Sequence, residues 1–193
     1  AAAMTAWRVL SQTDRVGAVV FDDSSLRVIP PHRSAQRVSE ILKCVVDRNH
    51  ALRAGPDIEP SPGMLNRALK QVSALARHDC LVCLVSDGSG IDEETRRYVT
   101  HLAAHNDVLS AFVYDPLERA MPSAGKLVFT DGTLQLEFDS AERRLRDAYS
   151  QDFERRMARL EATSRQHAVP LLPIHTAAPT LDQIKNVLGR STE

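Results

Sequence analysis

Two carboxylates close apolar runs in this chain, and each sits where chemistry is often done. The first is Asp87, in "LVCLVSDGSGIDEETRRYV" from Leu81 to Val99, which reads as a buried strand, an acidic turn and a helix start. Ser86 and Ser89 flank it, so carboxylate and hydroxyl oxygens are on hand for a hard cation. The helix that follows turns its positive end toward the same loop, which favours an anion instead. A third reading is structural: aspartate before glycine makes an Asx-type turn with no ligand at all. Residue types alone leave these alternatives level.

The second carboxylate is Asp115, at the end of "DVLSAFVYD". Paired with Asp87 it would make a metal-dependent hydrolase, which needs further carboxylates at strand ends. Pro116 fixes the turn behind it and Glu118 is placed to cap a helix or hairpin, so turn chemistry favours a structural role. A serine hydrolase fits poorly. "SDGSG" has Asp87 where the nucleophile elbow needs glycine, and His175 is the one late histidine at a strand end. Neither a Walker-type nor a dinucleotide glycine pattern occurs.

The remaining candidates have plainer explanations. His101 and His105 lie four apart on a helix, but Leu102 stands where a zincin carries glutamate. A solvent-facing helix end accounts for them, with His105 complementing the dipole. Cys80 and Cys83 form C-x-x-C inside an apolar strand, where positions three apart face opposite ways. They read as two inert buried thiols. The Arg-rich segment "SAERRLRDAYSQDFERRMARLEATSRQH" interleaves acids with bases, the pattern of a solvated helix face laced by ion pairs.

Composition agrees with a folded, soluble domain. The 193 residues are 43% hydrophobic and 25% charged, enough apolar content for a core. The formal net charge of -1 offers no global attraction to nucleic acid or anionic lipid. Three cysteines, an odd number, argue against a disulfide framework and for a reducing cytosol. No run approaches the roughly 20 apolar residues of a membrane helix, and "AAAMTAW" has no signal-peptide core.

The elements that position these residues follow from periodicity. "AMTAWRVLSQ" is helical, with Trp7 and Leu10 on one side. "VGAVVF" (Val16 to Phe21) and "LRVIP" (Leu26 to Pro30) are strands joined by the "DDSS" turn. A helix starts near Ser34 with Val38, Ile41, Leu42, Val45 and Val46 as its stripe. "RAGPDIEPSPG" is a loop, and a helix from Met64 to Ala76 follows with Leu65, Ala68, Leu69, Val72 and Leu75 buried. The strand Cys80 to Ser86, a helix from Asp92 to His105 and the strand Asp107 to Asp115 continue the alternation.

That alternation, with uninterrupted apolar strands, predicts an α/β fold with a mostly parallel sheet covered on both faces. "KLVFTDGTLQLEF" then spells a β-hairpin around an Asp-Gly turn. A long helix runs from Ser140 to His167 with Leu145, Tyr149, Phe153, Met157 and Leu160 as its stripe. "VPLLPIHT" is a last strand and "TLDQIKNVLG" a last helix, with Thr180 as cap and Gly189 as stop.

Four stretches together resemble a known family: "DRVGAVVFDD", "PPHRS", "LVSDGSG" and "VYDPLERAMPSAGKLVFTDG". The family is the MoxR-associated proteins described as "domain of unknown function 58", whose core is similar to a von Willebrand factor A domain. The resemblance implies a single domain over 1–193, truncated before its first strand, with a β-hairpin insertion at about 116–138. In that fold a metal-ion-dependent adhesion site combines D-x-S-x-S after the first strand, a threonine from a second loop, and an aspartate that Asp87 matches. D-x-S-x-S does not occur here, and the second loop reads "PSPGML", with Ser61 its nearest hydroxyl.

The resemblance therefore implies a partial adhesion site of Asp87, Ser86, Ser89 and Ser61. This chain should hold no tightly bound metal, and Mg or Mn enters only where an upstream D-x-S-x-S completes the set. The absent first strand would lie between "VGAVVF" and "CLVCLVS". Those strands should then pair directly, or the gap should draw in another chain as a homo-oligomer. The implied role is a non-enzymatic interaction domain of a bacterial cytoplasmic protein, partnered with a MoxR-type AAA+ ATPase. Asp115 with Asp87 remains the alternative enzyme site. Neither nucleic acid nor membrane is expected as a partner of this segment.

Overall fold

The computed structural model describes residues 1–51, 61, 63–130 and 135–189. Most of the expected loop "RAGPDIEPSPG" (53–63) and the Asp131–Gly132 turn lie outside these residues. In chain order the elements are α1 (Ala2–Ser11), β1 (Val16–Phe21), β2 (Leu26–His32), α2 (Ala35–Ala51), α3 (Met64–Leu75), β3 (Leu81–Ser86) and α4 (Glu93–Ala103). They continue with β4 (Asp107–Tyr114), α5 (Pro116–Arg119), β5 (Lys126–Thr130), β6 (Gln135–Asp139), α6 (Arg143–Gln166), β7 (Leu171–His175) and α7 (Thr180–Gly189).

The fold is α/β, with β3, β4 and β7 forming a three-stranded parallel sheet in the order β3-β4-β7. Parallel strands need long crossovers, and α4 supplies the one between β3 and β4. Along β4 and β7 the register runs from Ser110 opposite Leu171 to Tyr114 opposite His175. Pro173 sits in β7, which is tolerated because β7 is an edge strand and can leave its missing N–H outward.

The expectation of a mostly parallel sheet is too broad. Among the described residues β1 pairs with β2 alone, antiparallel, and β5 pairs with β6, antiparallel, each as a separate two-stranded sheet. Direct pairing of "VGAVVF" with "CLVCLVS" is therefore not what the described residues do. Nor is β3 covered on both faces: Leu81 is 58% and Val85 37% exposed. An apolar run looks the same in an edge strand as in a central one. Cys80 and Cys83 are accordingly half-buried and not fully buried, and both are free thiols, as is the buried Cys44.

The chain divides into two compact units. The first comprises residues 1–53, 59–83 and 88–108, and the second residues 54–58, 84–87 and 109–193. In the first, Ala6, Val16, Ile29, Val38, Ile41 and Cys44 form one buried cluster from α1, β1, β2 and α2. Each large aliphatic side chain so buried contributes roughly 1.5–3 kcal/mol. The α2 stripe is rotated from the expected one: Cys44 is buried, whereas Val45 and Val46 are exposed. Trp7 likewise points outward at 45% exposure, and Ala6 takes the inner position on α1.

Gly17 marks the bulge between Val16 and Ala18, where a Cβ would lie 2.7 Å from Pro31 N and 2.9 Å from Ile29 O. No other residue fits so near the facing backbone. Asn106 ties three element ends together in the same unit. Its side-chain oxygen accepts from Cys80 N (3.1 Å), and its amide donates to Ala76 O (3.2 Å) and Leu102 O (3.1 Å). These bonds fix where β3 begins.

In the second unit Phe112 and Tyr114 of β4, Phe153 of α6 and His175 of β7 pack as an aromatic cluster, ring centroids 5.2–6.5 Å apart. Phe112 and Tyr114 share a face because strand side chains alternate. α6 has the expected stripe spacing, but Phe153 alone is fully buried. The helix begins at Arg143 and not Ser140, since Ser140 is spent as a clasp. Its hydroxyl accepts from Ala124 N (2.9 Å) and donates to Gly125 O (2.7 Å). α7 starts on Thr180 itself, with Pro179 O accepting from Asp182 N (3.2 Å), so Thr180 is inside the helix and is not its cap.

Candidate functional site

The loop after β3 is built from a strand end, two left-handed glycines and a capped helix. Gly88 (φ 76°) and Gly90 (φ 74°) both adopt the positive φ that side chains disfavour. Ser86, Asp87 and Ser89 each make a polar interaction of their own. Asp92 then caps α4. Its carboxylate accepts from Thr95 N (2.8 Å), and Thr95 Oγ1 accepts from Asp92 N (3.1 Å), a reciprocal capping box.

A buried partner on α3 reinforces that cap. Asn66 Nδ2 donates to Asp92 Oδ1 and Oδ2, both at 3.0 Å, and Thr95 Oγ1 donates to Asn66 Oδ1 at 2.6 Å. Asn66 is 6% and Thr95 2% exposed. The Thr95 backbone N–H and the Asn66 amide together hold the Asp92 carboxyl below the usual carboxylate range. The positive end of α4 is thus already met by Asp92, with Glu93 and Glu94 in the first turn. An incoming anion would face three carboxylates, which removes the anion-site reading of this helix end.

Ser61 has backbone contacts of its own. Its N–H donates to Asp23 Oδ1 (3.2 Å) and its carbonyl accepts from Met64 N (2.9 Å), so it opens the turn into α3. Neighbouring Asp22 is locked into the β1–β2 turn, accepting from Ser24 N (2.9 Å), Ser25 N (2.8 Å) and the Arg48 guanidinium. Burial pushes its carboxyl up, but those hydrogen bonds outweigh burial and hold it well below the usual range.

Asp115 ends β4 in the second unit, and its oxygens are engaged. Oδ1 accepts from Leu117 N (2.9 Å) and Oδ2 from Thr176 Oγ1 (2.7 Å). Glu118 Oε1 accepts from Asp115 N (3.0 Å), closing a capping box on the one-turn helix α5 with Pro116 in its first turn. The Leu117 N–H, and then the Thr176 hydroxyl, hold the Asp115 carboxyl below the usual range. The other Glu118 oxygen accepts from Arg156 (2.6 Å), whose guanidinium stacks 5.3 Å over Phe153.

His175 lies one residue before Thr176. Gln183 brackets its backbone, accepting from His175 N (2.9 Å) and donating to His175 O (2.8 Å). Its ring Nδ1 is buried without a hydrogen-bond partner among the described residues. His101 and His105 meet edge to face at 5.7 Å.

Among the described residues no group of three or more His, Cys, Asp and Glu is arranged to hold a metal ion. A hard divalent cation takes six or more oxygens. Asp87, Ser86, Ser89 and Ser61 offer one carboxylate and three hydroxyls, so these residues alone do not fit Mg or Mn. Sequence reasoning passed over Asn66 and Thr95 altogether. The available signal was a polar residue within the buried stripe of α3 and the D-x-x-T spacing of Asp92 and Thr95, a variant of the capping-box pattern.

A family model described as "Protein of unknown function DUF58" matches residues 1–159. The chain belongs to this family. The match takes in α1 to β6 and most of α6, whereas β7 and α7 of this DUF58 chain lie beyond it. Comparison with curated proteins and with solved structures finds no match. Among its described residues no helix is long and apolar enough to cross a membrane.

Proposed function

We propose that this DUF58 chain is a non-enzymatic protein–protein interaction domain that works by binding through the loop Ser86–Ile91 after β3. The observation that carries the reading is the use of Asp115. Its two oxygens accept from Leu117 N and Thr176 Oγ1. A carboxylate so used as a cap, and held ionised, has no proton to give at neutral pH, which favours a structural role over that of a general acid. The same logic applies to Asp92 at the head of α4. Asp87, with Ser86 and Ser89 beside it in the loop, is read as a partial adhesion site for a partner's polar groups, as the family resemblance implies.

The resemblance to MoxR-associated proteins supplies the partner class, a MoxR-type AAA+ ATPase met in the cytoplasm during complex assembly or maturation. The von Willebrand factor A-like core is part of the same reading and is supported by the α/β order of elements. The exposed apolar residues of edge strand β3 favour self-association as a second mode.

Generic phosphatase and esterase substrates, assayed with Mg²⁺ and Mn²⁺, test the non-enzymatic reading. No turnover that depends on Asp115 is expected. Turnover abolished by Asp115→Asn, a variant that still caps α5, overturns it in favour of a hydrolase using Asp87 and Asp115.

A further inference from the structure

We propose that the outward face of α3 is a docking site for an acidic side chain of a partner protein. Leu26, Arg67, Lys70 and Gln71 line a concavity of about 200 Å³ in the first unit. Drug-sized ligands occupy pockets of about 300–1,000 Å³, so this one has room for a single side chain. Arg67 and Lys70 are three apart and Gln71 four from Arg67, spacings that set all three on one helix face. Leu26 supplies apolar contact for the methylene stem of a glutamate, and the two cations and the amide supply donors for its carboxylate.

α3, "MLNRALKQVSAL", has no acidic residue. Arg67 donates to the thioether of Met64 (3.1 Å), a weak acceptor, and neither Arg67 nor Lys70 forms an ion pair with a described residue. The Arg-rich α6 is a mixed case, with four of its seven arginines in ion pairs. Its Arg143, Arg155, Arg156 and Arg165 all pair with carboxylates. On α3, by contrast, both cations stand round one concavity with no ion pair to a described residue. Two cations round one concavity suit a carboxylate better than a nucleic acid, which is held by a track of phosphate contacts. The inference stands apart from the Ser86–Ile91 reading, since it involves neither that loop nor the AAA+ partner.

Fluorescence anisotropy with labelled decaglutamate tests it. The full chain should bind, with affinity falling about tenfold between 50 and 500 mM salt as exposed charges are screened. Arg67→Glu with Lys70→Glu should weaken binding at least about tenfold. Arg155→Glu, on α6, should leave it unchanged, and a decaglutamine peptide should not bind. If the double reversal does not fold by circular dichroism, Arg67→Gln with Lys70→Gln gives the same reading with a smaller loss. Equal decaglutamate binding by the wild type and the double variant overturns the proposal. So does absence of decaglutamate binding, or tighter binding of a ten-nucleotide oligothymidylate that survives the double substitution.

Discussion

Thr95→Val removes the buried bond that anchors α4, together with the acceptor that Thr95 offers to Asp92 N. Valine keeps the shape of threonine but removes the hydroxyl, so Asn66 Oδ1 loses its 2.6 Å donor inside a site where Asn66 is 6% exposed. A buried acceptor left without a partner costs about 1–3 kcal/mol. For a chain of this length a loss of about 2 kcal/mol lowers the melting midpoint by about 4–8 °C. Urea titration measures the free energy directly. Thr95→Ser, which keeps the hydroxyl, should lose about 1 kcal/mol through its missing methyl.

The cycle with Asn66→Leu makes the argument specific. Where Asn66 is already gone, Thr95→Val strands no buried acceptor, so the two losses should fall short of additivity by about 1 kcal/mol or more. Additive losses, or a Thr95→Val cost under about 0.5 kcal/mol, the range of ordinary surface substitutions, would refute the claim that this bond holds α4 to α3.

Other expectations follow from the same structure. Asp22, Asp92 and Asp115 have carboxyls held below their ordinary range, so the stability they add is present above about pH 4 and is lost as pH falls through the folded values. Acid unfolding followed by circular dichroism should accordingly move to higher pH in Asp22→Asn, and an unmoved curve would count against the hydrogen bonds assigned to Asp22. Burial pushes the Cys83 thiol up and Cys44 is 4% exposed. Pulsed alkylation read by mass spectrometry should therefore label Cys80 before Cys83, and Cys44 only on unfolding. Gly17→Ala places a Cβ against the backbone of Pro31 and Ile29. Such overpacking costs about 1–3 kcal/mol, and an unchanged melting midpoint would show that β1 and β2 separate freely there.

Much of the fold was legible because its signals are local. Periodicity located α3, α4, β4 and α6 to within a few residues, and the D-P-x-E run announced a turn that proves to be a capping box. Partnership between distant segments was not legible. Nothing within "VGAVVF" says that its partner is β2, and nothing within "CLVCLVS" says that β3 comes at the end of the strand order β3-β4-β7. Ser140 looked like a helix start because its bonds to Ala124 and Gly125 come from a segment about fifteen residues away. The Asn66–Asp92–Thr95 network stayed hidden for the same reason, since half of it lies on α3 and half on α4. At the strand ends, residue types could not tell a free carboxylate from an engaged one. Only the donors Leu117 N and Thr176 Oγ1 separate Asp115 from a catalytic acid.

The central claim, that the loop after β3 works by binding, is tested most directly by calorimetric titration of a MoxR-type AAA+ ATPase into this chain and its Asp87→Ala variant. Binding to the wild type that weakens at least about tenfold, or 1.4 kcal/mol, in Asp87→Ala agrees with the account. Equal affinities for the two proteins, or heats no larger than dilution for both, would contradict it.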